Sequence, residues 1–278
     1  MQSLQFAKMH GLGNDFMVFD LVTQEAEFDA VNVRAWSDRR TGIGFDQLLV
    51  VEPPSDPRAD FWYRIYNADG SEAEQCGNGA RCIATFVKHA RLSPKTELTL
   101  QTAGGTITTR LMDDKVQVDM GVPSTAPDTI PFTVDAEALS YRVESASGCH
   151  EVTPVSIGNP HGVLFVEDIG QADVAAIGPA LTSHPRFPEG ANIGFCQVVD
   201  DAFIRLRVFE RGVGETRACG TGACAAVVAC RLHGLVQQTV KVSLHGGKVR
   251  VNWQGPGSAV KMTGPSALVY EGSLNLVK

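Results

Sequence analysis

The sequence predicts an α+β protein of two similar, pseudo-symmetric domains, each a mostly antiparallel sheet wrapping a central helix, with the functional site in the cleft between them. Three observations predict it. The glycine-rich turn "CGNGA" that begins at Cys76 returns as "CGTGA" at Cys219, 143 positions later. Three further blocks recur in the same order at offsets of 142 to 145: residues 11–19 with 156–165, 45–52 with 191–199, and 103–108 with 245–250. Each half also runs through strand-like stretches into one strong helix and out into more strands. One duplication accounts for this pattern; solenoid repeats have periods of only ~20–50 residues.

Taken in order, "FMVFDLV", "QLLVVE" and "FWYRIYNA" are β-branched and aromatic runs bounded by turn residues, the signature of strands. Residues 79–90, "GARCIATFVKHA", set Ile83, Phe86, Val87 and Ala90 at the spacing of a helix packed on a sheet. "ELTLQT", "ITTRL" and "VQVDM" complete the first half. The proline-rich stretch 121–132, "GVPSTAPDTIPF", reads as the linker. The second half repeats the order with "VLFVED", "GFCQVVD" and "FIRLRVFE". A nearly all-apolar helix over 222–233 follows and is expected to be buried all round, and "TVKVSL", "KVRVNW" and "AVKMTG" close the half. The expected domains are therefore 1–120 and 121–265. The tail 266–278 has no partner in the first half and is expected to return to the first domain.

Composition narrows the function classes. The chain has 278 residues, 44% of them hydrophobic and 20% charged, with a formal net charge of −7. That is globular composition without the basic face that nucleic acid would need. No apolar run approaches the ~20 residues that span a bilayer, and the first residues lack the pattern of a secretory signal. A cytoplasmic protein is expected. The seven cysteines are an odd count, expected as thiols in a reducing compartment, and their spacing matches no structural zinc site, so no metal is expected. Cys82, Cys149, Cys196, Cys224 and Cys230 read as small buried hydrophobes.

Cys76 and Cys219 read differently, because each stands where a loop gives way to a helix. Gly77, Gly79, Gly220 and Gly222 would let the backbone turn tightly and approach a ligand. A helix N-terminus offers N–H groups and partial positive charge to a carboxylate. It also lowers a cysteine's pKa, which would make thiolate accessible near neutral pH. If the halves face each other, Cys76 and Cys219 flank one α-carbon. One thiolate would remove its proton and one thiol would return a proton to the opposite face. The equivalent positions Asn14/Asn159, Gln47/Asn192 and Asn67/Glu210 are all polar, and Arg211 is a natural fork for a second carboxylate.

The motifs "GLGNDF", "GFDQ", "NADGSEAEQCGNGARC", "IGNPH", "GANIGF" and "ERGVGETRACGTGA" run in order from residue 11 to residue 223. Their sequence resembles the diaminopimelate epimerases, a family of cofactor-independent two-cysteine epimerases. The resemblance implies interconversion of LL- and meso-2,6-diaminopimelate on the route to lysine and peptidoglycan precursors, with no cofactor. It implies that Cys76 and Cys219 are the two bases and that Gly77, Asn78, Gly220 and Thr221 hold the reacting carboxylate. Asn14, Gln47, Asn67, Asn159, Asn192, Glu210 and Arg211 would line the substrate site, His161 and Glu210 would tune the cysteines, and Tyr270 would serve a homodimer. The alternatives are another two-cysteine racemase of the proline or hydroxyproline type, a thiol redox sensor, and a non-catalytic amino-acid-binding protein.

Overall fold

The computed structural model describes residues 2–73, 76–134 and 136–276. Glu74 and Gln75, which belong to the motif before the first helix, lie outside the described residues. The chain divides into two compact units, one of residues 1–118 with 264–278 and one of residues 119–263. No helix among the described residues is long and apolar enough to cross a membrane.

The first unit contains, in chain order, β1 (Gln2–Gly11), β2 (Asn14–Asp20), α1 (Ala30–Ser37), β3 (Gln47–Glu52), β4 (Phe61–Asn67), β5 (Glu72–Ala73), α2 (Gly77–His89), β6 (Glu97–Thr102), β7 (Gly105–Leu111) and β8 (Val116–Asp119). Most pairings are antiparallel; β2 with β3 and β4 with β6 are parallel. Side chains alternate across a strand, so each strand serves two faces. Met17, Phe19, Leu48 and Val50 are buried in one cluster with Val33 of α1. Leu49 and Tyr63, whose side chains meet the first turn of α2, belong to the other face.

The second unit contains β9 (Tyr141–Ser145), β10 (Gly148–Ser156), β11 (Pro160–Phe165), α3 (Val174–Thr182), β12 (Asn192–Asp200), β13 (Phe203–Glu210), β14 (Gly214–Thr216), α4 (Gly220–Leu232), β15 (Thr239–Leu244), β16 (Gly247–Asn252) and β17 (Lys261–Gly264). From β10 to β17 the element order repeats β1 to β8. The parallel pairs recur as well, β11 with β12 and β13 with β15. An ion pair repeats in register: Arg64 with Glu72 at 2.9 Å and Arg207 with Glu215 at 2.7 Å. Helix α4 is buried from Gly222 to Cys230, as its apolar sequence demands.

The final strand, β18 (Ala267–Leu276), pairs antiparallel with β1 in the first unit. It occupies there the place that β9 takes beside β10 in the second unit. The tail thus has a counterpart after all, supplied from the opposite end of the chain.

Three expectations need correction. The proline-rich stretch 121–132 is part of the second unit's core: Ile130 and Phe132 are buried with Tyr141 and Phe187, and only Pro127–Thr129 forms a helical turn. Each unit also has a second, shorter helix, α1 or α3, that crosses between its first parallel pair of strands. Cys149 is exposed, because it lies beside the β9–β10 turn where no layer covers it.

Candidate active site

In each unit the cysteine is the N-cap residue of the central helix. Cys76 takes φ −147° and ψ 112°, and its sulfur accepts from the N–H of Gly79 at 3.4 Å. Cys219 takes φ −115° and ψ 112°, and its sulfur accepts from the N–H of Gly222, also at 3.4 Å. Sulfur replaces the oxygen of an ordinary cap. The helical ladder then begins with Ala80 N–H to Cys76 O and Ala223 N–H to Cys219 O. The first-turn N–H groups at Gly77–Asn78 and Gly220–Thr221 thus open at a positive helix end.

The four glycines at these turns do not sit in the left-handed region. Gly79 is required for space: a Cβ there would lie 2.0 Å from the Tyr63 hydroxyl oxygen. That hydroxyl donates to the Cys76 carbonyl at 3.3 Å and braces the loop against β4.

Strand periodicity explains the polar residues. Gln47 and Asn67 are cross-strand partners at the ends of β3 and β4, and they share a face with Leu49 and Tyr63, which meet α2. Gln47 donates from Nε2 to Asn67 Oδ1 at 2.9 Å. Asn14, at the start of β2, has its carboxamide oxygen 3.2 Å from Asn78 Nδ2 and 3.9 Å from Cys76 Sγ. The structure therefore gathers Asn14, Cys76, Gly77 and Asn78 at one end of the first unit, with Gln47 and Asn67 paired to each other.

The second unit gathers its set more tightly. Asn159 Oδ1 lies 3.0 Å from His161 Nε2, and its Nδ2 lies 3.5 Å from Thr221 Oγ1, which is 3.5 Å from Cys219 Sγ. Asn192 Oδ1 accepts from the Arg211 N–H at 2.9 Å, and the exposed Arg211 guanidinium donates to Glu189 O at 2.6 Å. Glu210 stands where the first unit has Asn67 and is hydrogen-bonded both to Cys219 and by the Thr216 hydroxyl. Thr216 was not singled out in the sequence; its signal was the short β13–β14 hairpin that folds it back on Glu210.

The electrostatics correct one expectation. Burial first, and then the Glu210 carboxylate, push the Cys219 thiol well above its ordinary pKa, against the hydrogen bonds from Thr221 and Gly222. His161 is buried, and burial together with the Arg211 charge lowers its pKa to about 3. It is a neutral imidazole, and its Nε2 shares a hydrogen bond with the Asn159 carboxamide. Tyr270 lies on β18, 44% exposed and edge-on to Phe6 at 6.1 Å.

A family model described as diaminopimelate epimerase matches residues 6–126 and 153–269. The chain belongs to the diaminopimelate epimerase family. It is 57% identical over 274 residues to the diaminopimelate epimerase of Pseudomonas aeruginosa, covering 98% of this chain and 99% of that one. It is 55% identical over 275 residues to that of Azotobacter vinelandii, with the same coverage. Among solved structures, a hydroxyproline epimerase from Agrobacterium vitis superposes with a TM-score of 0.72 at 18% identity, covering 98% of this chain and 92% of that one. A probable proline racemase from Agrobacterium radiobacter K84 gives 0.72 at 19% identity, covering 99% and 93%. These two share the epimerase fold, and at such identity the likeness extends no further.

Proposed function

We propose that this chain interconverts LL- and meso-2,6-diaminopimelate without a cofactor, using Cys76 and Cys219 as the two bases. The observation that carries the reading is a cysteine capping the central helix of each unit, in a chain 57% identical to a diaminopimelate epimerase. One sulfur, as thiolate, takes the α-proton, and the C–H electron pair moves onto the carbon and its carboxylate. The other sulfur delivers its proton to the opposite face and becomes thiolate. Atoms and charge balance, the configuration inverts, and the two sulfurs have exchanged roles.

The acidity of an α-C–H is the difficulty, and the helix ends address it. First-turn N–H groups at Gly77–Asn78 and Gly220–Thr221 stabilise negative charge as it grows on the carboxylate. Asn14, Gln47, Asn67, Asn159 and Asn192 supply hydrogen bonds for the amino and carboxylate groups, and Arg211 suits the distal carboxylate. Neutral His161 hydrogen-bonds to Asn159, while Glu210 holds Cys219 protonated. The product serves lysine and peptidoglycan precursor synthesis. Both thiols must stay reduced, the state that the cytoplasm maintains. The enzyme works as a homodimer in this reading, with exposed Val269 and Tyr270 of β18 at the contact.

Incubating reduced protein with LL-diaminopimelate in D2O tests the reading. Deuterium should enter the α-carbon as the meso isomer forms. Cys76→Ser and Cys219→Ser should each slow turnover roughly 100-fold or more, the scale of a lost acid–base group. Absence of exchange by folded, reduced protein overturns the assignment.

A further inference from the structure

We propose that Asp46 and Arg81 are positioning residues that lock the carboxamides of Asn14 and Asn78 in one direction, so that Cys76 faces the carbonyl oxygen of Asn14 and never its N–H. The argument is one of donors and acceptors. Arg81, fully buried in the first turns of α2, donates from Nη2 to Asn78 Oδ1 at 2.8 Å. Asn78 donates from Nδ2 to Asn14 Oδ1 at 3.2 Å, and Asn14 donates from Nδ2 to Asp46 Oδ2 at 3.1 Å. A guanidinium can only donate and a carboxylate can only accept. With those two ends fixed, neither amide between them can be turned over without setting N–H against N–H or oxygen against oxygen. The orientation therefore follows from chemistry and does not depend on how an amide was assigned.

Both ends are themselves held. Asp46 Oδ1 accepts from Arg39 Nη2 at 2.8 Å, and Asp46 Oδ2 also accepts from the Asp15 N–H at 3.1 Å. Arg39 and the nearly buried Lys8 meet on Asp15, at 2.7 and 2.6 Å. Arg81 also donates to Pro265 O at 3.2 Å, which ties the arrangement to the start of the returning strand β18.

The second unit cannot build this chain. At the duplication's own offsets, Arg81 corresponds to Cys224 and Asp46 to Ala191. Asn159 there lies between His161 and Thr221, each of which can donate or accept, so its carboxamide is not locked as that of Asn14 is. Two cysteines with the same cap geometry thus meet different surroundings: Cys76 the locked carbonyl oxygen of Asn14, Cys219 the Thr221 hydroxyl and the Glu210 carboxylate. The device makes a near-symmetric pair of bases unequal before substrate arrives.

The inference rests on Cys76 being a reacting thiol, and its test needs no diaminopimelate, so it stands or falls apart from the substrate assignment. The probe is iodoacetamide at fixed neutral pH, with each cysteine's alkylation rate read by peptide mass spectrometry; alkylation follows the thiolate fraction. Asp46→Ala removes one of the two holds on Asn14 and leaves only the 3.2 Å bond from Asn78 to resist turning, so the Asn14 N–H reaches sulfur part of the time and Cys76 should react at least about threefold faster, with Cys219 unchanged. Asp46→Asn keeps an oxygen facing Asn14 and the Asp15 N–H, gives up only the contact to the exposed Arg39, and should restore the wild-type rate to within about twofold. Asp46→Ser, too short to reach Asn14, should behave as the alanine variant and gives a second reading should that variant fold poorly. Equal effects of the alanine and asparagine variants would mean that charge matters and orientation does not. Unchanged Cys76 reactivity, or equal acceleration of Cys219, would likewise overturn the proposal. The Asp46 side chain is 45% exposed, so none of these substitutions opens a core cavity.

Discussion

A sulfur that caps a helix feels two opposed influences, and their sizes decide which wins. A helix N-terminus contributes about 0.3–1 kcal/mol toward an anion, and up to about 2 in partly buried geometry. Full burial can shift a titrating group by about 3–5 pKa units, each worth about 1.4 kcal/mol. Cys219 is buried and has Glu210 beside it, so its thiol form wins. Both cysteines were legible in the sequence because they are duplicated in register. The burial that reverses the expected shift was not, since it comes from residues distant in sequence such as Val208 on β13, whose side chain reaches the turn at Gly222. His161 supplies the pH test at this scale. Its folded pKa of about 3 lies below the ordinary value of 6.5, so the unfolded chain takes up this proton first as pH falls. Stability from this group is complete above about pH 6.5 and is lost toward pH 3, at up to about 1.4 kcal/mol per pH unit. His161→Gln should flatten the fall in the urea midpoint between pH 7 and pH 5. An unchanged slope would place the proton uptake elsewhere.

At the scale of elements, the two central helices were readable and the two crossover helices were not. Helices α2 and α4 carry long apolar patterns over 13 residues each. Helix α1 has eight residues and buries only Val33, and α3 has Pro179 in its interior, so neither shows a sustained stripe. Their caps are nonetheless local: Asp29 accepts from the Asn32 N–H and Asp173 from the Ala176 N–H. Equivalent turns also differ in tightness. A Cβ on Gly79 would meet the Tyr63 hydroxyl at 2.0 Å, whereas one on Gly222 would meet Val208 Cγ2 at 3.0 Å. Gly79→Ala should therefore cost about 1–3 kcal/mol, the range for overpacking, and Gly222→Ala less. Thermal melts would check the order, and adding Tyr63→Phe to Gly79→Ala should recover part of the loss. A larger loss from Gly222→Ala would show that the cap sulfur, 3.3 Å from the same Cβ position, is the tighter neighbour.

At the scale of the whole chain, the repeat made the architecture readable. Matching blocks ordered the strands from β2 to β8 and from β11 to β17, and the unmatched tail was expected in the first domain; β1, β9 and β10 were not read as strands, so the tail had no partner to be assigned. Sequence adjacency could not reveal that β18 stands in the first unit where β9 stands in the second, because that pairing joins residues near opposite ends of the chain. Removing residues 267–278 should therefore loosen the first unit specifically. β1 would lose its partner strand, Phe6 its contacts with Gly272 and Tyr270, and His89 its ion pair with Glu271. Hydrogen exchange should rise across β1 and α2 while peptides of β12 and α4 keep their protection. Uniform deprotection of both units would refute that local reading.

The same strand bears on the order in which the two units complete their folding. Domains ordinarily complete their folding from the N-terminus during synthesis. Here the first unit leaves the ribosome with an unpaired β1 edge that waits until the entire second unit has been translated. Residues 119–263 are all translated before β18, so the second unit has its own segment complete before the first unit does, although it begins later. For that interval the nascent chain carries an open sheet edge, the kind of template on which strands from other chains add. A chaperone that shields β1 until β18 emerges would do most for the yield of this protein.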